Sequence, residues 1–139
     1  MKRQITSADI LPLSDYAKVR DEKRRTIIAM KHNRRVPVGP YASFYFENYD
    51  TMWLQVQEML RIEKGGDDQL KDELRAYNPL IPDGKELTAT VMFQIEDAGR
   101  RAAVLATLGG VENKMEIRVK GEVIKGRAEE DLDLSLIHI

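Results

Sequence analysis

The side chains best placed to do chemistry sit in three short stretches. In "TMWLQVQEMLRIEK", Gln57, Arg61 and Lys64 follow at i, i+4 and i+7 with Glu58 beside them, a polar stripe opposite much of an apolar helix face. Such a stripe can recognise a ligand or partner, or it can be a solvated face whose local pairs contribute only tenths of a kcal/mol. Glu58 and Glu63 lie five residues apart, about 140° around a helix, so they do not share a metal ion. In "KHNRR", Lys31, Arg34 and Arg35 could grip phosphate, with Tyr41 and Tyr45 close enough to stack on bases. In "YNPLIP", Tyr77 and Asn78 precede two prolines that stiffen the chain, which lowers the entropic cost of recognition. The same segment serves equally to fix how a helix enters a strand. The candidate ligand-binding set is therefore Arg34, Arg35, Glu58, Arg61, Tyr77 and Asn78.

The catalytic templates are missing from the sequence. It holds no cysteine, which excludes disulfides, thiolate metal sites and thiol catalysis within the chain. Glu-x-x-His pairs of the carboxylate-bridged iron sites are absent, as are a Gly-x-Ser-x-Gly elbow and a phosphate-cradling Gly-rich loop ending in Lys-Ser/Thr. A Ser-His-Asp triad would have to join His32 to Ser7, Ser14 or Ser43, none of which has a motif around it. No metal and no cofactor are called for, and the reading leans away from an enzyme.

Around these stretches, 139 residues with 42% apolar and 32% charged side chains fit one soluble globular domain. No apolar run nears the ~20 residues of a membrane span, and the N-terminus has no signal-peptide core, so the cytoplasm is the default location. The net charge of −1 hides a gradient. Residues 1–40 carry ten Lys/Arg and four Asp/Glu, whereas residues 41–99 carry five and twelve. The basic third is expected to pair with acidic groups within the fold, and a pI near 6.2 argues against a dedicated nucleic-acid binder.

The elements follow from periodicity. "TSADILPL" is expected to form a turn capped by Thr6 or Ser7 and stopped by Pro12. A helix from Ser14 should bury Tyr16, Val19, Ile27 and Met30 and end at Asn33, which tolerates a left-handed conformation. "RRVPVGP" can be only a sheet edge, because Pro37 and Pro40 lack amide donors. "YASFYFE" reads as a strand with Ala42, Phe44 and Phe46 on one side. Asn48 or Asp50 caps a second helix with Met52, Val56 and Met59 inward, widened by Trp53 and Leu60, and Gly65-Gly66 ends it. "DDQLKDELRAY" is a short third helix. "KELTATVMFQI" is a strand, Asp97 caps a helix through Leu108, and "KMEIRVKGEVIKGR" folds into a hairpin at Lys120-Gly121. The resulting class is α+β, with helices packed on a small mixed or antiparallel sheet in a single domain.

"RRVPVGP", "FEN", "QVQEMLRIEK" and "AYNPLIPDG", with the opening "ITSADILPLSDYAKVR" and "EVIKGRAEED", resemble an uncharacterised bacterial family, domain of unknown function number thirty-five-oh-one. The likeness covers about Ile5 to Asp131. Genes of that family often lie beside rubrerythrin-like proteins and iron–sulfur oxidoreductases, which implies an accessory part in redox or oxidative-stress physiology. It supplies no catalytic residue. Family members continue beyond the "AEED" region, so residues 1–133 are expected to be a domain incomplete at its C-terminus. Leu134 to Ile139 match, residue for residue, one translated frame of a sequencing-library transposase adapter and are expected to be an artefact.

Overall fold

The computed structural model describes residues 2–128 and 136–138. Contacts divide the chain into two compact units, one of Met1–Arg34 with Glu47–Lys85 and one of Arg35–Phe46 with Glu86–Ile139. The fold is α+β, with antiparallel pairing throughout the described strands.

The first unit is helical. A 3-10 turn at Ser7–Asp9 opens it, where the Asp9 carboxylate accepts the amide and hydroxyl hydrogens of Thr6. Helix α1 (Leu13–His32) buries Tyr16 and Ile27, with Val19 half-covered beside them. It ends without the expected left-handed residue. Asn33 stays right-handed at φ −86°, and its N–H closes a tight last turn on the Met30 carbonyl. Helix α2 (Tyr49–Glu63) starts at Asn48, whose Oδ1 accepts the Thr51 N–H at 2.9 Å while the Thr51 hydroxyl accepts the Asn48 N–H. Reciprocal bonds of this kind satisfy donors that the first helical turn leaves over. Met52, Leu54, Val56 and Leu60 are buried. The left-handed residue that closes α2 is Lys64 at φ 53°, one position before the expected glycine pair. Helix α3 (Gly66–Tyr77) follows at once, and Gln69 ties it back to α2. Its Oε1 accepts the Gly65 N–H at 2.6 Å and its Nε2 donates to the Met59 carbonyl at 3.0 Å. Tyr16, Ile27 and Leu54 form a core cluster with Leu11, Val19 and Trp53 packed against it.

The second unit holds the sheet. Strands β1 (Arg35–Val38), β2 (Ala42–Phe46) and β3 (Thr88–Phe93) pair in register, Val36 opposite Phe44 and Phe44 opposite Val91. Strand β1 is the edge, as Pro37, which lacks an amide donor, requires. Phe44, Ala89 and Val91 share one face and make the core of this unit, with Phe46, Phe93 and Met115 against it. The alternation of β3 is incomplete, because Thr88 is as buried as Ala89 and Val91. Helix α4 (Ala98–Ala106) is capped by the Asp97 carboxylate on the Gly99 N–H and stops two residues before Leu108. Strands β4 (Glu116–Val119) and β5 (Glu122–Lys125) form a separate hairpin whose turn residues, Lys120 and Gly121, both have positive φ. That backbone matches the right-handed twist of the two strands. Strands β6 (Arg127–Ala128) and β7 (Leu136–His138) complete the sheet in the order β1-β2-β3-β7-β6. Of the segment read as an adapter artefact, Leu134, Ser135 and Ile139 lie outside the described residues, as do residues 129–133.

Candidate functional site

Tyr16, Arg20 and Arg24 recur every fourth residue on α1, so they share a face, and that face meets Glu58 on α2. The Tyr16 hydroxyl donates to Glu58 Oε2 at 2.8 Å, and Arg20 makes a forked contact, Nε to Oε2 at 3.0 Å and Nη2 to Oε1 at 2.9 Å. Arg24 Nε stands 3.9 Å from Oε1. The Arg20 hydrogen bonds, reinforced by the Tyr16 hydroxyl, hold the Glu58 carboxyl below its ordinary range despite partial burial. Burial, then the carboxylate that accepts its hydrogen, pushes the Tyr16 phenol well above its ordinary range. A carboxylate filled by donors and kept ionised is a poor general base. Glu58 is a cross-tie between α1 and α2.

Two side-chain amides hold the N-terminal segment as if it were a bound peptide. Asn78 accepts the Ile5 N–H at 2.7 Å and donates to the Ile5 carbonyl at 3.0 Å. Gln57 accepts the Leu11 N–H at 2.7 Å and donates to the Leu11 carbonyl at 3.4 Å. Between them, the Trp53 indole N–H donates to the Asp9 carbonyl at 2.9 Å. Gln57 is fully buried, which corrects its placement on a solvent-facing stripe. The signal was present in its neighbours, since Trp53 at i−4 and Leu60 at i+3 flank it with apolar side chains.

The candidate residues on this unit do not converge. Glu58 and Asn78 are engaged as described, Tyr77 accepts a long hydrogen bond from Gln55 Nε2 at 3.4 Å, and Arg61 is exposed with no hydrogen bond or ion pair among the described residues. Arg34 and Lys31 belong to the helical unit and Arg35 to the sheet unit.

Arg35 lines a cavity of about 390 Å3 in the sheet unit, built where the β1–β2 connection meets the segment between β3 and α4. Its guanidinium donates to Ser43 Oγ at 3.3 Å and lies 6.0 Å from the centre of the Tyr45 ring. Tyr41 and Gln94 line the same cavity, and the Gln94 N–H donates to the Tyr41 carbonyl at 2.7 Å. Two cations, Arg35 and Arg100, and two anions, Glu96 and Asp97, border it without forming an ion pair with one another. The arrangement can hold an anionic group. Among the described residues, no cluster of three or more His, Asp or Glu side chains could hold a metal ion. No helix among them is long and apolar enough to cross a membrane.

The chain is similar to a crystallised protein of unknown function from Burkholderia pseudomallei, with a TM-score of 0.86 and 37% identity over 96% of this chain and 74% of that one. No curated protein matches it. The model of the family described as "Protein of unknown function (DUF3501)" matches residues 4–136, nearly the whole length, and the chain belongs to that family.

Proposed function

We propose that this protein is a cytoplasmic accessory domain that works by binding other proteins, with the sheet unit as its contact surface. One observation carries the reading. Among the described residues, eleven large apolar side chains are exposed, and all but Leu13, Ile28 and Ile62 lie in the sheet unit. They include Val36 and Val38 on the edge strand β1 and Val119, Val123 and Ile124 on the β4–β5 hairpin, each about half exposed. Exposed apolar side chains favour association with a partner; on the hairpin Val119 and Ile124 share one face, and Val123 lies on the other, opposite Arg118. The family resemblance implies the first partners to test, rubrerythrin-like proteins and iron–sulfur oxidoreductases, whose genes often lie beside those of family members. Purified full chain should bind one of them in a surface-immobilised assay, and Val123→Lys should weaken that binding at least tenfold. Absence of binding to every neighbouring gene product would remove the reading.

A second reading treats Arg35 and Arg100 as a phosphate grip, favoured by two guanidinium groups around one cavity that form no ion pair among the described residues. It requires binding to inorganic phosphate or RNA that weakens steeply with salt and is lost in Arg35→Gln. Salt-insensitive or absent binding rejects it.

A further inference from the structure

Two strand edges of the sheet unit offer different backbone chemistry. The Gln94 N–H donates to the Tyr41 carbonyl, which makes those two residues a hydrogen-bonded pair, and in an antiparallel ladder such pairs alternate. Ser43 and Tyr45 therefore turn their backbone groups to β3, while Ala42 and Phe44 turn theirs to Val38 and Val36 of β1. Pro37 is left facing outward, where it has no N–H to give. The five-stranded sheet is thus closed to a further strand at β1.

The β4–β5 hairpin is open by the same reasoning. The Gly126 N–H donates to the Met115 carbonyl at 2.8 Å, in the register that sets Glu116 opposite Lys125. Ile117 and Val119 then turn their backbone groups to β5, and Glu116 and Arg118 turn theirs away from it. The outer edge of β4 offers the N–H and C=O groups of both residues, with no proline between them and no hydrogen bond to them among the described residues. The hairpin is a sheet of its own, and two strands alone are marginal in water.

We propose that β4 pairs with β4 of a second copy of this chain, antiparallel about a two-fold axis, so that Glu116 of each copy stands opposite Arg118 of the other. Backbone groups that face outward must meet groups that do the same, which restricts the register. An axis through Glu116 opposes two carboxylates, and an axis through Arg118 opposes two guanidinium groups. An axis through Ile117 opposes Glu116 to Arg118 twice, and charge selects it. Within one copy, Arg118 Nε and Nη2 both donate to Glu116 Oε1, at 3.1 and 2.9 Å, so Oε2 and Nη1 remain for the other copy. The same axis brings Ile117 against Ile117 of the second copy on the apolar face, in the closer kind of antiparallel pair. The result is one sheet of four strands in the order β5-β4-β4-β5, and a two-fold axis stops assembly at two copies. Strand β5 does not compete. Its outward residues are Val123 and Lys125, and no two-fold register within it gives Lys125 an acidic partner. The pairing rests on backbone groups and charge, and it is independent of the partners proposed above.

Sedimentation velocity of the full chain over a range of concentrations should show monomer and dimer in equilibrium and nothing larger. Glu116→Arg and Arg118→Glu, each alone, oppose like charges in the dimer and should weaken it about tenfold or more. Mixed in equal amounts, the two variants carry complementary strands and should dimerise with each other. In amide exchange followed by NMR, the N–H groups of Glu116 and Arg118 should slow as the dimer fills, while those of Val123 and Lys125 stay fast. The proposal is overturned if the chain remains monomeric, if assembly continues past two copies, if either single variant dimerises as the parent does, if the mixture fails to dimerise, or if Glu116 and Arg118 exchange alike in dilute and concentrated samples. Association that persists in both single variants and falls only in Val123→Lys is of the apolar kind and also overturns it. Failure to bind any neighbouring gene product leaves these results unchanged.

Discussion

Glu58 accepts hydrogens from two side chains of α1 and stands near a third, so losing it leaves Tyr16 and Arg20 without their acceptor inside the helical unit. Glu58→Ala should lower stability by about 2 kcal/mol, measured by urea unfolding. The same pair shapes both ends of the pH profile. The Glu58 carboxyl is held down, so its contribution is present above the unfolded value near 4.3 and is lost as pH falls below it. The Tyr16 phenol is raised, so its contribution is present below about pH 10 and is lost as pH climbs past that value. Glu58→Gln should flatten the acid limb of melting temperature against pH, and an unchanged acid limb would assign it to other carboxylates. Buried Gln57 carries a different risk. Gln57→Ala strands the Leu11 amide and carbonyl, with an expected loss on the order of 2–3 kcal/mol by the same urea measurement. Tyr16 and Ile27 were legible as core residues because apolar side chains follow a simple period. Gln57 was not, because a polar residue betrays burial only through its neighbours and the backbone it will meet.

Helix starts were easier to read than helix ends. Asn48 and Asp97 cap α2 and α4 with their own side chains, and an N-cap is a local signal carried by one residue. Asn48→Ala should cost about 1 kcal/mol, visible as a lower thermal midpoint. Helix ends depend on which residue takes up the left-handed turn, and the sequence around α2 offered two glycines for it. The structure uses Lys64 instead, because Gly65 is needed elsewhere. A Cβ on Gly65 would lie 2.7 Å from Gln69 Cβ, in the path of the link between α2 and α3. Lys64→Gly should therefore stabilise by about 0.5–1 kcal/mol and Gly65→Ala should destabilise, and calorimetry of the two variants checks the assignment. The hairpin at Lys120-Gly121 was readable for the opposite reason, since a two-residue connection between alternating strands has few solutions.

For the molecule as a whole, the α+β class and the edge position of β1 followed from periodicity and proline. The charge gradient resolves in part, with Arg20 and Arg24 from the basic third meeting Glu58 from the acidic middle. The division into two units was not legible, because it depends on Phe44 pairing with Val91 across the whole of α2 and α3. Nothing local in either strand announces so distant a partner. The exposed apolar side chains of the sheet unit should also drive weak self-association at high concentration. Val123→Lys should reduce it in light scattering while changing stability by no more than about 0.5 kcal/mol. The amide clamps have a temporal side as well. Ile5 leaves the ribosome before Asn78, which holds it and follows 73 residues later, and Gln57 follows Leu11 by 46. At ~5–20 residues per second, the first of these gaps lasts roughly 4–15 s. During synthesis the N-terminal segment therefore waits, with its backbone bonded to water, until α2 and the start of the Asn78 turn have emerged to receive it.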